Sequence, residues 1–76
     1  MREVRISSLA DIQTLKSELE TDSLVLVVDS AVPDLELAAL VVRLHRRVQG
    51  VRHSRRIPYS CHLAIVCRQY GINITS

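Results

Sequence analysis

The side chains of this sequence best suited to binding chemistry are arginines, and most of them lie in one segment. The segment also contains His45 and His53. Its arginines are Arg43, Arg46, Arg47, Arg52, Arg55 and Arg56. A guanidinium group presents planar, forked N–H donors that match the oxygens of phosphates and carboxylates. The segment therefore predicts contact with an anionic partner.

The acidic residues lie in the other half of the chain. All eight fall within the first 36 positions, together with three basic residues, so this part has a net charge of −5. The remaining residues contain seven arginines and no acid, which gives +7 within a total of +2. This asymmetry predicts that the basic half meets nucleic acid, an acidic protein or the chain's own acidic half. The sequence leaves these three alternatives open.

Known site motifs for metals and phosphates are missing from the sequence. Cys61, His62 and Cys67 lack the spacing of zinc ligands, and there is no C-x-x-C pair. A Gly-rich phosphate loop is excluded because Gly50 and Gly71 are the only glycines. We therefore expect neither a metal nor a cofactor.

A small group of acids follows an apolar run in the first half of the chain. Asp29, Asp34 and Glu36 lie where α/β folds place ligands, and carboxylates of this kind can hold Mg²⁺. The interpretation we favour is that they complement the positive end of a helix. Ser30 lacks the G-x-S-x-G setting of a hydrolase nucleophile. The sequence does not predict an enzyme.

Length and composition predict one small domain over residues 1–76. The apolar fraction of 47% is ordinary for a globular chain, but Phe and Trp are absent. No apolar run approaches the roughly 20 residues that span a bilayer, so we expect no membrane insertion. The first residues lack the hydrophobic stretch of a secretion signal, and two unpaired cysteines fit a reducing compartment. The expected location is the cytoplasm.

The first part of the chain predicts a strand and then a helix. Apolar and charged residues alternate from Glu3 to Ile6, which is typical of a strand with one buried face. Ser8 is suited to cap the following helix, with Asp11 completing a capping-box variant. The apolar stripe of this helix consists of Leu9, Ile12, Leu15 and Leu19.

The next part predicts a central strand and a longer helix. The apolar run 24–28 indicates a strand covered on both faces, as in parallel α/β sheets. The helix begins at Pro33 and extends to about Val48, with Gly50 as the expected stop. His45 falls on its apolar side, which is typical of a half-buried, hydrogen-bonded core or interface residue. The apolar face consists of Leu37, Val41, Leu44 and Val48.

The last part predicts a third helix. Residues 50–58 fit either a loop or a weak edge strand. Ser60 is suited to cap a helix that runs to Tyr70, with Gly71 at its C-terminal end; a strand over 62–67 is the alternative. The order β-α-β-α-(β)-α predicts a small two-layer α/β domain with a short, mainly parallel sheet of two or three strands.

The segment from Val27 to Arg46 resembles part of the STAS domain family, named for sulfate transporters and anti-sigma-factor antagonists. In that family a strand leads into a helix whose start reads Asp-Ser-x-Gly-Leu and which often ends Leu-His-Arg, as residues 44–46 do here. The segment from Ile57 to Ile72 is similar to the family's last helix, which often closes with Gly-Leu or Gly-Ile. The resemblance covers about residues 4–72.

The resemblance implies a regulatory partner such as an anti-sigma kinase or a transporter ATPase. The family's phosphorylatable serine falls on Leu35 and its glycine on Leu37, so only Asp34 matches. Binding would therefore lack the usual phosphoserine switch. The interface residues that we expect beside the arginines are Asp34 and His45.

Our leading hypothesis from the sequence is a non-enzymatic regulatory module that binds a protein partner or forms a homodimer through the second helix and the following loop. The six arginines of the segment 43–56 would supply complementary charge. The alternative is a nucleic-acid-binding protein that uses the same arginines on phosphates. No aromatic residue is interleaved with them, and only Tyr59 lies just beyond, which disfavours a single-strand stacking platform.

Overall fold

Strands and helices alternate along the chain. In the computed structural model, which describes residues 1–29 and 31–75, the elements are β1 Arg2–Ile6, α1 Leu9–Ser17, β2 Leu24–Val28, α2 Asp34–Leu44, β3 Val48–His53, α3 His62–Gln69 and β4 Asn73–Thr75. The predicted small α/β domain is confirmed. Ser30, part of the polar pair after β2, lies outside the described residues.

The four strands form one parallel sheet in the order β1-β2-β3-β4. The register aligns Val4, Leu26, Val51 and Ile74 across the sheet. Connections between neighbouring parallel strands are right-handed, so all three helices lie on the same face of the sheet. The predicted two-layer, mainly parallel arrangement is therefore confirmed, with four strands instead of two or three.

The second strand is covered on one face only, and the prediction of cover on both faces was wrong. Leu24, Leu26 and Val28 are buried, whereas Val25 and Val27, which point to the other face, are only partly buried. The cause is the topology. Because each strand lies next to the preceding one in the chain, no crossover places a helix on the second face.

Aliphatic side chains from all three helices and all four strands share one core, although Val4 and Ile74 are only partly buried. No polar or charged side chain is buried among the described residues. The largest fully buried side chains are Ile6, Ile12, Leu15, Leu24, Leu26, Leu37, Leu40, Leu63, Val28, Val41, Val51 and Cys67. Since Phe and Trp are absent, branched aliphatic residues fill the space between the layers.

The first helix starts as predicted and ends at Ser17, before Leu19 of the predicted apolar stripe. The Ser8 side chain accepts the backbone N–H of Asp11 at 3.4 Å, and the Asp11 carboxylate accepts the backbone N–H of Ser7 at 2.9 Å. Hydrogen bonds from the backbone and hydroxyl of Ser7 lower the pKa of Asp11 below its ordinary value. The predicted apolar stripe is only half right, because Leu9 and Leu19 are 49% and 97% exposed.

The second helix ends at Leu44, four residues before the predicted end. The backbone N–H of Arg47 donates to the carbonyl of Leu44 at 2.8 Å and closes the turn. Val48, which was expected on the apolar face of the helix, is the buried first residue of β3. Gly50, expected as the helix stop, lies inside the same strand, and an added Cβ there would lie 3.6 Å from the carbonyl oxygen of Asn73.

The third helix begins after Cys61 and not after Ser60. The Cys61 sulfur accepts the backbone N–H of Ala64 at 3.4 Å. The C-terminal prediction is confirmed: Gly71 has a φ of 67° and the backbone N–H of Ile72 donates to the carbonyl of Cys67 at 2.8 Å. The alternative strand over 62–67 was wrong. The sequence reasoning missed β4, which follows this cap.

The described residues include no helix that could cross a membrane.

Candidate functional site: an arginine-lined groove

The six arginines of the segment 43–56 do not form one surface. Arg43 lies in the last turn of α2, and Arg46 and Arg47 lie in the turn that leads from α2 into β3. Arg52 projects from β3 on the sheet face without helices, and the other two lie in the loop before α3. Their proximity in the sequence is therefore not proximity in space. The contacts of each arginine therefore determine whether it is available to a partner.

Arg47 is used inside the molecule. Its side chain is 11% exposed. Its Nε donates to the backbone carbonyl of Asp22 at 2.9 Å, and its Nη2 lies 2.7 Å from Asp22 Oδ1 and 3.5 Å from Glu18 Oε1. A forked, charge-assisted arrangement of this kind fixes geometry as well as adding energy. Arg47 thus fastens the start of β3 to the segment that precedes β2.

Arg2 completes this network at the amino ends of the strands. Its Nη2 donates to Glu18 Oε1 at 2.6 Å, and its Nε lies 3.1 Å from Asp22 Oδ2. The hydrogen bond to Glu18 raises the pKa of Arg2. Partial burial of the Asp22 carboxyl works against its ionisation, but the hydrogen bond from Arg47 and the charge of Arg2 lower its pKa. Two acids and two arginines therefore neutralise one another here.

Arg52 also finds an acid in the same chain. Its guanidinium makes an ion pair with the Glu3 carboxylate across β2, on the face of the sheet without helices. Both side chains are mostly exposed, and such pairs contribute little to stability. The pair nevertheless reduces the charge that Arg52 can offer to a partner. Arg47 and Arg52 thus pair with acids from the first half of the same chain, which was one of the three predicted partners.

The four remaining arginines of the segment have no carboxylate partner among residues 1–29 and 31–75. They are exposed, and they form two separate pairs. The first pair, Arg43 and Arg46, lies at the C-terminal end of α2. The second pair, Arg55 and Arg56, lies in the loop 54–61 between β3 and α3. The second pair lines a cavity.

This cavity is an open groove of about 870 Å³ between the loop 54–61, α3 and β4. Its charged residues are Arg55, Arg56 and Arg68. The other residues that line it are Ile57, Pro58, Tyr59, Ala64, Ile74 and Thr75. The groove thus combines three guanidinium groups with a largely apolar floor, and no acidic side chain of the described residues lines it.

Arg68 and Tyr59 form a fixed pair in the groove. Arg68 Nη1 donates to the backbone carbonyl of Tyr59 at 2.7 Å, and its Cζ lies 3.7 Å from the centre of the Tyr59 ring. This cation–π geometry holds the guanidinium near the apolar floor. The sequence reasoning missed Arg68 as a site residue. The available signal was its position four residues after Ala64, which places both on one face of α3.

The groove lies near the carboxyl ends of β3 and β4. In open α/β sheets, ligands commonly bind at the carboxyl ends of the strands. A smaller cavity of about 270 Å³ also lies near the carboxyl ends of the strands, next to β1 and β2. It is lined by Arg5, Val27, Val28, Asp29, Arg52, His53 and Ser54. Because this second cavity contains an acid and the paired Arg52, the larger groove has the stronger positive character.

Asp34, the acid predicted at an interface, connects two helices of the domain. Its carboxylate accepts the backbone N–H groups of His62 at 2.8 Å and Leu63 at 3.0 Å, and lies 3.2 Å from His62 Nδ1. Asp34 therefore caps the start of α3 while it begins α2. Burial works against ionisation of this carboxyl, but the N–H donors lower its pKa below its ordinary value.

Replacing Asp34 with alanine is expected to lower the free energy of unfolding by about 1 kcal/mol at neutral pH, because two N–H groups at the start of α3 lose their acceptor. The folded state lowers the pKa of Asp34. Its contribution is therefore complete above the pKa of the unfolded chain and is lost as the pH falls through the folded value. Urea unfolding of both proteins at several pH values measures the difference. Glu20→Gln, which changes an exposed acid, is the control, and an equal loss there would contradict the capping role.

His45, the second predicted interface residue, also has internal partners. It follows α2, is half-buried, and its Nδ1 lies 2.9 Å from the carbonyl oxygen of Val42. Its ring stacks on that of Tyr70 with 4.1 Å between the centres and 18° between the planes. The stack joins the end of α2 to the end of α3. With the Asp34 bonds, it fixes one side of α3 against α2.

Neither thiol nor metal chemistry is indicated in the part of the chain that the structure describes. No group of three or more His, Cys, Asp or Glu side chains is placed to hold a metal there. Both cysteines are free, and Cys67 lies in the core. Burial, and to a lesser extent the Cys61 thiol, raises the pKa of Cys67 to about 11, so it is a poor nucleophile at neutral pH.

Comparison of the chain with protein-family models, with curated proteins and with solved structures yields no match.

Proposed function

We propose that this protein is a non-enzymatic interaction module that binds an acidic segment of a partner protein in the arginine-lined groove. One observation carries the proposal. Arg55, Arg56 and Arg68 line a groove to which no acidic side chain of residues 1–29 and 31–75 contributes, although other arginines of the chain are paired with acids. Positive charge is thus left unneutralised at one concave surface, where a complementary partner gains the most from it.

The composition of the groove favours a protein as the partner. Tyrosine and arginine are the residues most enriched at the energetic centres of protein interfaces, and Tyr59 is 77% exposed beside Arg68. Ile57, Pro58 and Ile74 supply an apolar floor, which a phosphate backbone does not need. A protein segment with both apolar and acidic side chains uses all of these features.

The resemblance to STAS domains supports the same class of function. The strand-turn-helix part of the resemblance corresponds to β2 and α2. The resemblance implies a partner similar to an anti-sigma kinase or a transporter ATPase. Leu35, at the position of the family's phosphorylatable serine, is 64% exposed in the first turn of α2. Regulation of this partner would not use phosphorylation at that position.

The second candidate function is nucleic-acid binding by the same arginines, and the position of Tyr59 favours it. An exposed aromatic ring among guanidinium groups is a feature of single-strand binding sites. One ring is a small platform, however, and Arg68 already lies over it. This candidate predicts an affinity that falls steeply with salt, in proportion to the number of phosphates neutralised.

Affinity capture from a native lysate, with and without nuclease, tests the proposal. We expect a stoichiometric protein that survives nuclease and is lost from a variant in which both Arg55 and Arg56 are replaced by glutamate. Recovery of nucleic acid, with all proteins lost after nuclease treatment, would put the second candidate first. A protein that binds the variant equally well would overturn the groove as the binding site.

A further inference from the structure

The outward face of α2 carries an apolar stripe. Leu35 and Val42 are 64% and 46% exposed, and Ala39 between them is also exposed. Their spacing of i, i+4 and i+7 places the three side chains on one face of the helix. Leu37 and Val41, on the opposite face, are fully buried in the core. A helix with apolar residues on both faces is typical of a helix that is covered on both faces.

This stripe lies at the centre of the helix layer. The strand order places α2 between α1 and α3, and α2 packs against both of them. Ile65 of α3 is 44% exposed. It lies two residues after the buried Leu63, so the helical period points it away from the core. The outer surface of the layer thus has apolar side chains on two adjacent helices.

Charged side chains of opposite sign border the stripe near its two ends. Glu36 lies in the first turn of α2 and Arg43 in the last turn. Because they are seven residues apart, both lie on the same flank of the stripe, and this is the flank away from the contact of Asp34 with α3. Neither has an ion-pair partner among residues 1–29 and 31–75. The charges of this flank are therefore available to a partner.

We propose that two copies of this chain associate through α2, with the two helices antiparallel about a twofold axis at Ala39. In this arrangement Leu35 of one copy meets Val42 of the other. The Glu36 carboxylate of each copy meets the Arg43 guanidinium of the other. The midpoints of both pairs lie half a residue from Ala39, or about 0.8 Å along the helix axis. One axis thus satisfies the apolar and the charged contacts together, as an isologous interface requires.

The antiparallel orientation follows from the positions of the two charges. In an antiparallel pair of identical helices, each flank of one helix faces the same flank of the other and the two ends are exchanged. Glu36 and Arg43 share a flank and lie near opposite ends, so they meet. A parallel pair would place this flank against the opposite one, which contacts α3, and would leave both charges without a partner. At the crossing point, Ala39 is small enough for the helix axes to approach to about 8 Å.

A second copy of the chain is the occupant that these features fit. Its own α2 provides the matching apolar stripe and, in reverse order, the complementary charges. The stripe is short, so the interface belongs to the small, transient class, with a dissociation constant of about 10 to 100 µM. Below that concentration the protein is a monomer. Because the contact uses no residue of the groove, failure of this dimer leaves the proposed function in place.

Sedimentation equilibrium of the whole 76-residue protein, from about 5 µM to about 500 µM, tests this dimer. Glu36→Arg and Arg43→Glu alone should each raise the dissociation constant about 10-fold, because each places like charges together twice across the axis. The double variant exchanges the two charges, so its constant should return to within about threefold of the original. Glu20→Arg makes the same change in net charge as Glu36→Arg but lies between α1 and β2, and it should have little effect.

A mixture of the two single variants provides a second measurement. The mixed pair places opposite charges at both contacts, so Glu36→Arg and Arg43→Glu together should form a heterodimer tighter than either homodimer. The mass of a monomer at every concentration would overturn the dimer. A dimer that neither single variant weakens would show that a different surface is used. Weakening by the single variants without recovery in the double variant or the mixture would overturn the antiparallel pairing.

Discussion

Replacing Arg55 and Arg56 together with glutamate is expected to reduce the affinity for an acidic partner by about 10-fold to 100-fold. Each exposed ion pair contributes only a fraction of a kcal/mol, but the double reversal also places two like charges against the partner's acids. Fluorescence anisotropy with the captured protein measures the change. A labelled oligoglutamate peptide serves as a probe that does not depend on identifying the partner.

The matched control reverses the other unpaired arginines of the segment, Arg43 and Arg46. It makes the same change in net charge but lies at the end of α2, outside the groove. We expect a loss of affinity of less than about threefold, caused by the altered overall charge. Neither double variant should change the free energy of unfolding by more than about 0.5 kcal/mol, because the altered side chains are exposed. Equal losses of affinity would mean that overall charge, and not the groove, attracts the partner.

The parts of the fold that could be predicted are those determined by local patterns. The apolar run 24–28 became β2 with the predicted bounds, and Ser8 caps α1 as its spacing to Asp11 indicated. Gly71 ends α3 in a left-handed conformation, as its position after a helical pattern suggested. Each of these features depends on a few neighbouring residues. Local propensity and long-range packing agree there, which makes the sequence pattern informative.

The boundary between α2 and β3 could not be predicted because Val48 continues the helical spacing of Leu37, Val41 and Leu44. The pairing of β3 with β2 shifts between Leu24 and Val25, so Gln49 is an extra residue and Val48 and Val51 both face the core. Buried residues three apart do not show the alternation of a regular strand. The spacing of Val48 from Leu44, which is helical, therefore extended the predicted helix to Val48. Only the pairing with β2 shows that this segment is a strand.

The groove could not be predicted because its members come from distant parts of the chain. Arg55 and Arg56 lie in one loop, Arg68 in α3 and Ile74 in a strand of three residues. Such a short strand has almost no pattern of its own and depends on its neighbour β3. The sequence indicated the type of chemistry through its arginines. The parallel sheet and the loop 54–61 determine which of these arginines lie close together in the fold.

The charge asymmetry of the sequence does not become a simple dipole in the fold. Arg2 and Arg47 approach Glu18 and Asp22 at the amino ends of the strands. This pairing between the two halves of the chain occurs because the segments that precede β2 and β3 lie together at the amino ends of the parallel strands. Among the described residues, what remains unpaired in the segment 43–56 is Arg43 and Arg46 near the end of α2, and Arg55 and Arg56 in the groove at the carboxyl ends of the strands. The net charges of the two halves therefore overstate how far positive and negative charge are separated in space. The individual ion pairs show which arginines are left unpaired.

Replacing Arg47 with alanine is expected to lower the free energy of unfolding by about 2 kcal/mol, which corresponds to a decrease in Tm of about 10 °C. The side chain is 11% exposed and donates to the backbone and the carboxylate of Asp22. The variant leaves these acceptors and Glu18 without the guanidinium. Urea unfolding followed by circular dichroism measures the loss. Arg47→Lys keeps the charge but not the forked donors, so an intermediate value is expected.

Arg43→Ala is the matched control for Arg47→Ala, since Arg43 is exposed and has no carboxylate partner in the described part of the chain. Its effect on stability should be below about 0.5 kcal/mol. The pH dependence provides a second check. Asp22 has a lowered pKa in the folded state, so the stabilisation from its contact with Arg47 is present at neutral pH and is lost as the pH falls through that folded pKa. The difference between the original protein and Arg47→Ala should therefore shrink in acid. Equal stability of the two alanine variants at neutral pH would show that Arg47 does not fasten β3 and is free to serve a partner.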